Sequence, residues 1–468
     1  MMKPKIGILL LTAEWFTQVG ATQGTFGKLP ESLTQDAARI EAILSESLDV
    51  VNPGVLASIT QVHEACDRFK HEAVDAVVIT YITWGEDRSI LEAIQLLQNF
   101  PFLLWAYVPF STLPDPLSMP EMLRMSGPVG ALQASGPLKR LGIRFSTAFG
   151  SCDNPSTKRQ IVSFAKAAKA VKNLRKVRIG MLPYRCDQMT GTYVDEFRLR
   201  HELGPELIYI STYDYLNLCE AIPTEIVNNF VQELKSTHPG SPNLTSRGLE
   251  RAARASLGVA ELTIQKNLDA LAIEDVGEEL HRMVGLRPCL SVPALFERTV
   301  VSMEAEVGGA VAMLILRLLS GLPVMYTEVF TVDETANNLL LGHAGLQDAR
   351  LAETPADVLL EPDGEYLENE PDSAWMSFRA RGGAVTLLSV FCDKERFKLV
   401  IAQGEALPGP RCLLGSPHAL VRIATPLPEF FHKALTTGMT QHFALVHANL
   451  IPELLLLAEI LNLDQVTL

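Results

Sequence analysis

The chain lacks most of the features that would exclude an ordinary globular enzyme. Its seven cysteines are odd in number and scattered, with no Cys-x-x-Cys pair, so no disulfide framework is expected; reduced thiols in a cytoplasmic protein are. Basic residues are in deficit. Forty Lys and Arg against 54 Asp and Glu leave a net charge of −14, which argues against nucleic acid or an anionic membrane as partner. No apolar run is long and unbroken enough to cross a membrane. The stretch from Val307 to Tyr326 is divided by Arg317 and by the Gly321-Leu322-Pro323 break into helix, turn and strand. The N-terminal MMKPKIGILLLTAEWF is cut by Glu14 and has no small-residue cleavage site, so it reads as a buried first strand. Internal repeats and low-complexity tracts are absent. The Gly-rich EVGGAVAM segment lacks the GK[ST] ending of a phosphate loop.

What is there fits a multi-domain α/β protein. With 468 residues the chain exceeds one hydrophobic core, and 47% apolar with 20% charged residues is ordinary globular usage. From KIGILLLT through DAARIEAILSES, AVDAVVITYIT, RSILEAIQLLQ and FPFLLWAYVP, apolar strands alternate with helical stretches. That rhythm predicts a doubly wound parallel sheet. A second such unit starts at KVRIGMLPYR and runs to LDALAIE and the Val307–Leu319 helix. Beyond 323, short runs such as MYTEVFTV, GAVTLLSVF and RFKLVIAQGEAL predict a β-rich, barrel-like region closed by a terminal helix. The expected domains are therefore 1–174, 175–322 and 323–468, the first two Rossmann-like. The acidic, Pro-rich LAETPADVLLEPDGEYLENEPD reads as an exposed loop.

The segment from Ser302 to Leu346 carries the most chemistry. Glu304 and Glu306 open a Gly/Ala-rich apolar helix, Glu328 lies inside the strand-like VMYTEVFTV, and His343 occupies a GHAG turn. A carboxylate buried without a partner costs several kcal/mol, roughly 2–7 for polar groups in general. Carboxylates and an imidazole converging from a helix end, a strand and a turn suit a divalent cation. The plainer alternative is that the acids favour the helix N-terminus, Glu328 faces solvent and His343 is a satisfied turn residue. At 3.6 residues per turn, Glu304 and Glu306 are about 200° apart on a regular helix, so both cannot readily enter one site from it.

The same segment resembles the ketol-isomerase superfamily of L-arabinose and L-fucose isomerases, in its arabinose-type branch. Members carry an acid before a Gly/Ala helix, a second acid about two dozen residues on, and a Gly-His turn. A further histidine near the C-terminus here corresponds to His442 in GMTQHFALVHANL. IEDVGEELHRM around Glu274 and Asp275 also resembles that branch. The resemblance implies Glu304, Glu328, His343 and His442 as ligands of Mn²⁺, with Co²⁺ or Mg²⁺ as alternatives, and Glu304 and Glu328 as the catalytic pair. It places Glu306, Gln441, Met189 and Gln133 (with Ser135 beside it) near a sugar. Trp84 and Trp105 lie at presumed strand ends, where open α/β sheets place their ligands and a ring face suits a sugar; packing in the core is the competing and more frequent fate for each. Gln441 stands where relatives keep a histidine, and an amide cannot shuttle protons.

An aldose–ketose isomerisation acting on a pentose, hexose or modified sugar through an enediolate is the implied activity. A hydride shift, a metal-dependent hydrolase, and a non-catalytic sugar-binding or regulatory protein on the same fold are the competing readings. The resemblance further implies a homo-oligomer, hexamer or trimer, whose sites borrow residues from a neighbouring chain.

Overall fold

The computed structural model describes residues 3–17, 27–277, 279–280, 287–363 and 372–468. They form two compact units, one of Met1–Lys172 with Pro452–Asn462, the other of Asn173–Ile451 with Leu463–Leu468.

In the first unit, β1 (Lys5–Leu11), β2 (Asp49–Val51), β3 (Val55–Leu56), β4 (Ala76–Tyr81), β5 (Phe102–Tyr107) and β6 (Ser146–Gly150) make one parallel sheet. Its order is β2-β1-β4-β5-β6, with β3 also on β1. The nearly continuous apolar runs of β1 and β4 are buried because helices cover both faces. Ile6, Ile8 and Leu10 pack with the helices Leu29–Ser45 and Pro155–Leu174, whereas Leu9 and Leu11 pack with Ile59–His71 and Asp87–Leu96. The strand order reverses between β1 and β4, the place where open α/β sheets form a crevice. There the Thr12 and Thr83 hydroxyls are 2.7 Å apart. The helix Ile451–Leu461, late in the chain, returns to this unit. Leu456 and Ile460 join its core, and Ser163 and Ser146 donate to Glu453 and Glu459 at 2.8 and 2.6 Å.

The second unit begins with a parallel sheet of β7 (Arg178–Leu182), β8 (Glu206–Tyr209), β9 (Ala270–Ile273) and β10 (Val300–Ser302), in the order β10-β9-β7-β8. The chain then turns β-rich, through β11 (Val324–Asp333), β12 (Asn338–Gly342), β13 (Leu359–Glu361), β14 (Trp375–Ser377), β15 (Gly383–Cys392), β16 (Phe397–Ala406), β17 (His418–Ile423), β18 (His442–Val446) and β19 (Asp464–Thr467). Hydrogen-bonded pairing runs β15-β18-β11-β12-β17-β16 and back to β15, which closes a ring; β19 adds to β16 in parallel. The chain is thus a mixed α/β protein with two parallel sheets and a β-rich sheet. The expected acidic loop is only partly a loop. Residues 359–361 pair with β14, because the apolar Leu-Leu step finds a partner strand; 364–371 lie outside the described residues.

The helix Val307–Ser320, ended by Gly321 at φ 71°, is apolar on nearly all sides and almost wholly buried. Its two glycines permit close packing. A Cβ at Gly308 would stand 2.2 Å from the Val390 carbonyl, and one at Gly309 would stand 2.5 Å from Glu306 Oε2 and Tyr326 Cε2. Gly309→Ala is therefore expected to cost about 1–3 kcal/mol through forced displacement, measurable by urea denaturation. Unchanged stability would mean that Glu306 and Tyr326 yield freely.

Candidate metal centre

Each polar side chain of the centre comes from the end of a different buried element. Glu304 follows β10, but the helix does not begin until Val307. Glu304 and Ala305 instead adopt left-handed backbone, φ 59° and 52°, a conformation that costs a non-glycine residue about 1–2 kcal/mol. Two bonds to the end of β9 and the residues just after it hold this turn: Glu304 N–H donates to Asp275 Oδ1 at 3.0 Å, and Ala305 N–H to the Ile273 carbonyl at 2.8 Å. This corrects the helical expectation that kept Glu304 and Glu306 apart. With a left-handed pair between strand and helix, both carboxylates reach His442.

The distances define a tight cluster. Glu304 Oε2 is 3.0 Å from His442 Nε2, Glu304 Oε1 is 3.6 Å from His343 Nε2, and Glu306 Oε2 is 3.1 Å from His442 Nδ1. His442 opens β18 and His343 follows β12. Tyr326 of β11 lies against both imidazoles, with ring centroids 4.9 Å away in each case, and its hydroxyl donates to Glu306 Oε2 at 2.8 Å. Glutamine 347 fixes the Tyr326 backbone on both sides, at 3.3 and 2.8 Å.

Glu304, His343 and His442 offer one ligand atom each within 4.8 Å of one another, a grouping that suits a cation. The donor set fits on a second ground. His343 Nε2, both ring nitrogens of His442 and Glu306 Oε1 are buried without an aligned hydrogen bond, although the His442–Glu304 and His442–Glu306 pairs are close. Buried polar atoms in native proteins are rarely left so, and an ion that collects lone pairs accounts for His343 Nε2 and His442 Nε2; His442 Nδ1 faces Glu306 instead.

Charge agrees with position. Burial pushes the Glu304 carboxyl up, but His343 and His442 together outweigh it and hold the group at about 2. Burial pushes His442 down, yet Glu306 and Glu304 raise it to about 10. His343 is also raised: burial opposes, and Glu304 and Asp275 prevail over it.

The other residues singled out from sequence fall as follows. Glu328 pairs across β11 with His442 on one side and Gly342 on the other, so it shares the sheet face of His442 and Tyr326. Its carboxylate lies outside the three-residue cluster. Gln441 Nε2 approaches both Met189 Sδ, at 3.4 Å, and Glu304 Oε2, at 3.5 Å, which brings Met189 to the centre. Glu306 is almost completely buried, its carboxylate engaged beneath His442 rather than open to a ligand from solvent. In the first unit, the Trp84 indole N–H donates to Gln133 Oε1 at 2.8 Å and Gln133 in turn to Asp87 at 3.0 Å. Trp105 is core, fully buried with its indole on the Gly150 carbonyl. Ser135 donates to the Leu132 carbonyl of its own helix. Sequence reasoning missed Tyr326 and the role of Asp275. The signal for Tyr326 was its spacing, two residues before Glu328 on one strand face.

No model of a known protein family matches the chain. It is 24% identical over 401 residues to a sulfoquinovose isomerase of Alkalicoccus urumqiensis, covering 84% of this chain and 86% of that one. To the sulfoquinovose isomerase of Priestia aryabhattai it is 22% identical over 414 residues, 88% and 89% of the two chains. An L-arabinose isomerase of Shouchella clausii is 22% identical over 297 residues, 63% of this chain and 60% of that one. These similarities support the arabinose/fucose isomerase-like superfamily. A periplasmic solute-binding protein of Actinobacillus succinogenes with bound D-allose aligns to 58% of this chain and 79% of its own at 12% identity, but its TM-score of 0.16 carries no weight. Among the described residues, no helix is long and apolar enough to cross a membrane.

Proposed function

We propose that the protein is a metal-dependent aldose–ketose isomerase, with Glu304, Glu328, His343 and His442 as the ligand set. The observation that carries this is the buried Glu304–His343–His442 cluster, in a chain similar to isomerases over most of its length. A divalent ion held there, Mn²⁺ by preference, would polarise the carbonyl of an open-chain aldose and stabilise enediolate charge. The protein's own part is proton transfer and placement. A proton leaves C2 and arrives at C1 while the hydroxyl proton on O2 passes to O1, and the carboxylates of Glu304 and Glu328 are the groups to take and return the carbon-bound proton. Gln441 and Met189 line the approach to Glu304, where the amide can bond a sugar hydroxyl. It moves no proton.

Similarity reaches furthest along the chain with the sulfoquinovose isomerases, so a sulfonated hexose heads the candidate substrates, ahead of L-arabinose, D-galactose, L-fucose and D-arabinose. The test is a screen of these aldoses for ketose formation by chelated and Mn²⁺-loaded protein. Turnover of at least one, dependent on metal, is expected. Sugar binding without any ketose product would favour the regulatory alternative.

The assembly is proposed to be a closed trimer or hexamer, with the Trp84–Gln133 pair of a neighbouring chain completing the sugar site, since head-to-tail borrowing closes only as a ring. Light scattering should give a mass of three or six chains. An active monomer of 51.3 kDa would defeat this. A cytoplasmic location is part of the same reading.

A further inference from the structure

We propose that Asp275 is a positioning residue that aims the Glu304 carboxylate by holding its backbone. Asp275 follows β9 and is almost fully buried; its Oδ1 accepts the Glu304 N–H at 3.0 Å. That bond falls on the first of two consecutive left-handed residues. Released, an L-residue returns readily to negative φ. Rotation there would swing the Glu304 side chain away from His442 and His343, which it meets at 3.0 and 3.6 Å. The Ile273 carbonyl holds Ala305 at 2.8 Å but does not set the plane of the preceding peptide, which carries the Glu304 N–H. Asp275 does.

Asp275 is itself braced. Its Oδ2 lies 3.7 Å from the buried guanidinium of Arg287, which also engages the buried carboxylate of Asp363. A buried acid that meets a cation on one oxygen and a backbone amide on the other has little freedom to turn. The outcome is a line of three buried charges ending on the peptide that orients Glu304. It places Asp275 one hydrogen bond away from the backbone of Glu304, acting through that residue rather than on substrate.

Two variants separate this role from plain stability. Asp275→Asn keeps an acceptor oxygen for the Glu304 amide, and Asp275→Leu has similar bulk and none. Both remove the charge facing Arg287, so their difference isolates the acceptor. In metal-free full-length protein, hydrogen exchange of the Glu304 amide is expected to match wild type within about threefold in the Asn variant and to be at least tenfold faster in the Leu variant. Mn²⁺ affinity, measured by titration, should fall tenfold or more from Asn to Leu, within the range typical of groups that orient metal ligands, roughly 10–100-fold. Should Asp275→Leu not fold, Asp275→Ser, with a side chain too short to reach the amide, replaces it. Equal exchange in the acceptor and non-acceptor variants would overturn the inference. The affinity arm rests on the metal reading above; wild-type protein that takes up no Mn²⁺ would sink that reading, while the exchange arm still decides Asp275.

Discussion

Glutamine at position 304 is expected to remove turnover while leaving a folded protein. Glu304 stands between the two imidazoles at 3.0 and 3.6 Å, and glutamine keeps its shape but loses both the anionic oxygen and the capacity to carry a proton. Loss of positioned acid–base catalysis alone lowers rates by about 10²–10⁴-fold, so kcat for the substrate found in the screen should drop at least that far. Glu304→Gln should also weaken Mn²⁺ binding, because two cationic or metal-facing histidines lose their shared carboxylate. Glu328→Gln tests the second acid differently. Its backbone pairs with His442 and Gly342, yet its carboxylate lies outside the three-residue cluster. Its replacement should therefore cost as much turnover but leave metal-free thermal stability nearly unchanged. Steady-state ketose formation with a parallel metal titration reads both. Near-normal rates in either variant would move the chemistry to another residue.

The contrast between these two glutamates shows what the sequence could convey. The apolar helix after Glu306 and the strand-like run around Glu328 were legible because hydrophobic period and length determine them locally. His442 joined Glu304 and His343 only through resemblance, since it lies 138 and 99 residues beyond them along the chain (442 − 304 and 442 − 343). The left-handed backbone at Glu304 and Ala305 was not legible. Neither residue is a glycine, and the conformation is imposed by Asp275 and Ile273 from an earlier strand end. The same holds for the helix Ile451–Leu461: its leucines predict burial, but nothing local says that it packs with residues near the N-terminus. Long-range partners, rather than local propensity, decided each feature that escaped.

Metal binding should depend steeply on pH, with the stability of the metal-free protein falling above pH 6.5 while that of the loaded protein holds nearly level. In the metal-free protein His442 rises from its ordinary 6.5 to about 10 on account of Glu306 and Glu304, against the effect of burial. The stability this contributes is fully present below pH 6.5 and is lost as pH climbs through about 10. Glu304, lowered from 4.5 to about 2, contributes stability above pH 4.5 that disappears as pH falls through about 2. Metal-free protein should thus gain most from this cluster between pH 4.5 and 6.5. A metal needs neutral imidazole, so its uptake must expel the proton on His442, and affinity should rise about tenfold per pH unit for one proton released. Saturating Mn²⁺ at about 100 times Kd should stabilise by roughly 2.7 kcal/mol, an increment that grows with pH at fixed metal while the metal-free form weakens. Calorimetric titrations in buffers of different ionisation enthalpy count the released protons, and thermal scans with and without chelator read the stability. Proton-neutral Mn²⁺ uptake at pH 8, or full metal occupancy in a His343→Ala, His442→Ala double variant, would remove these histidines from the ligand set.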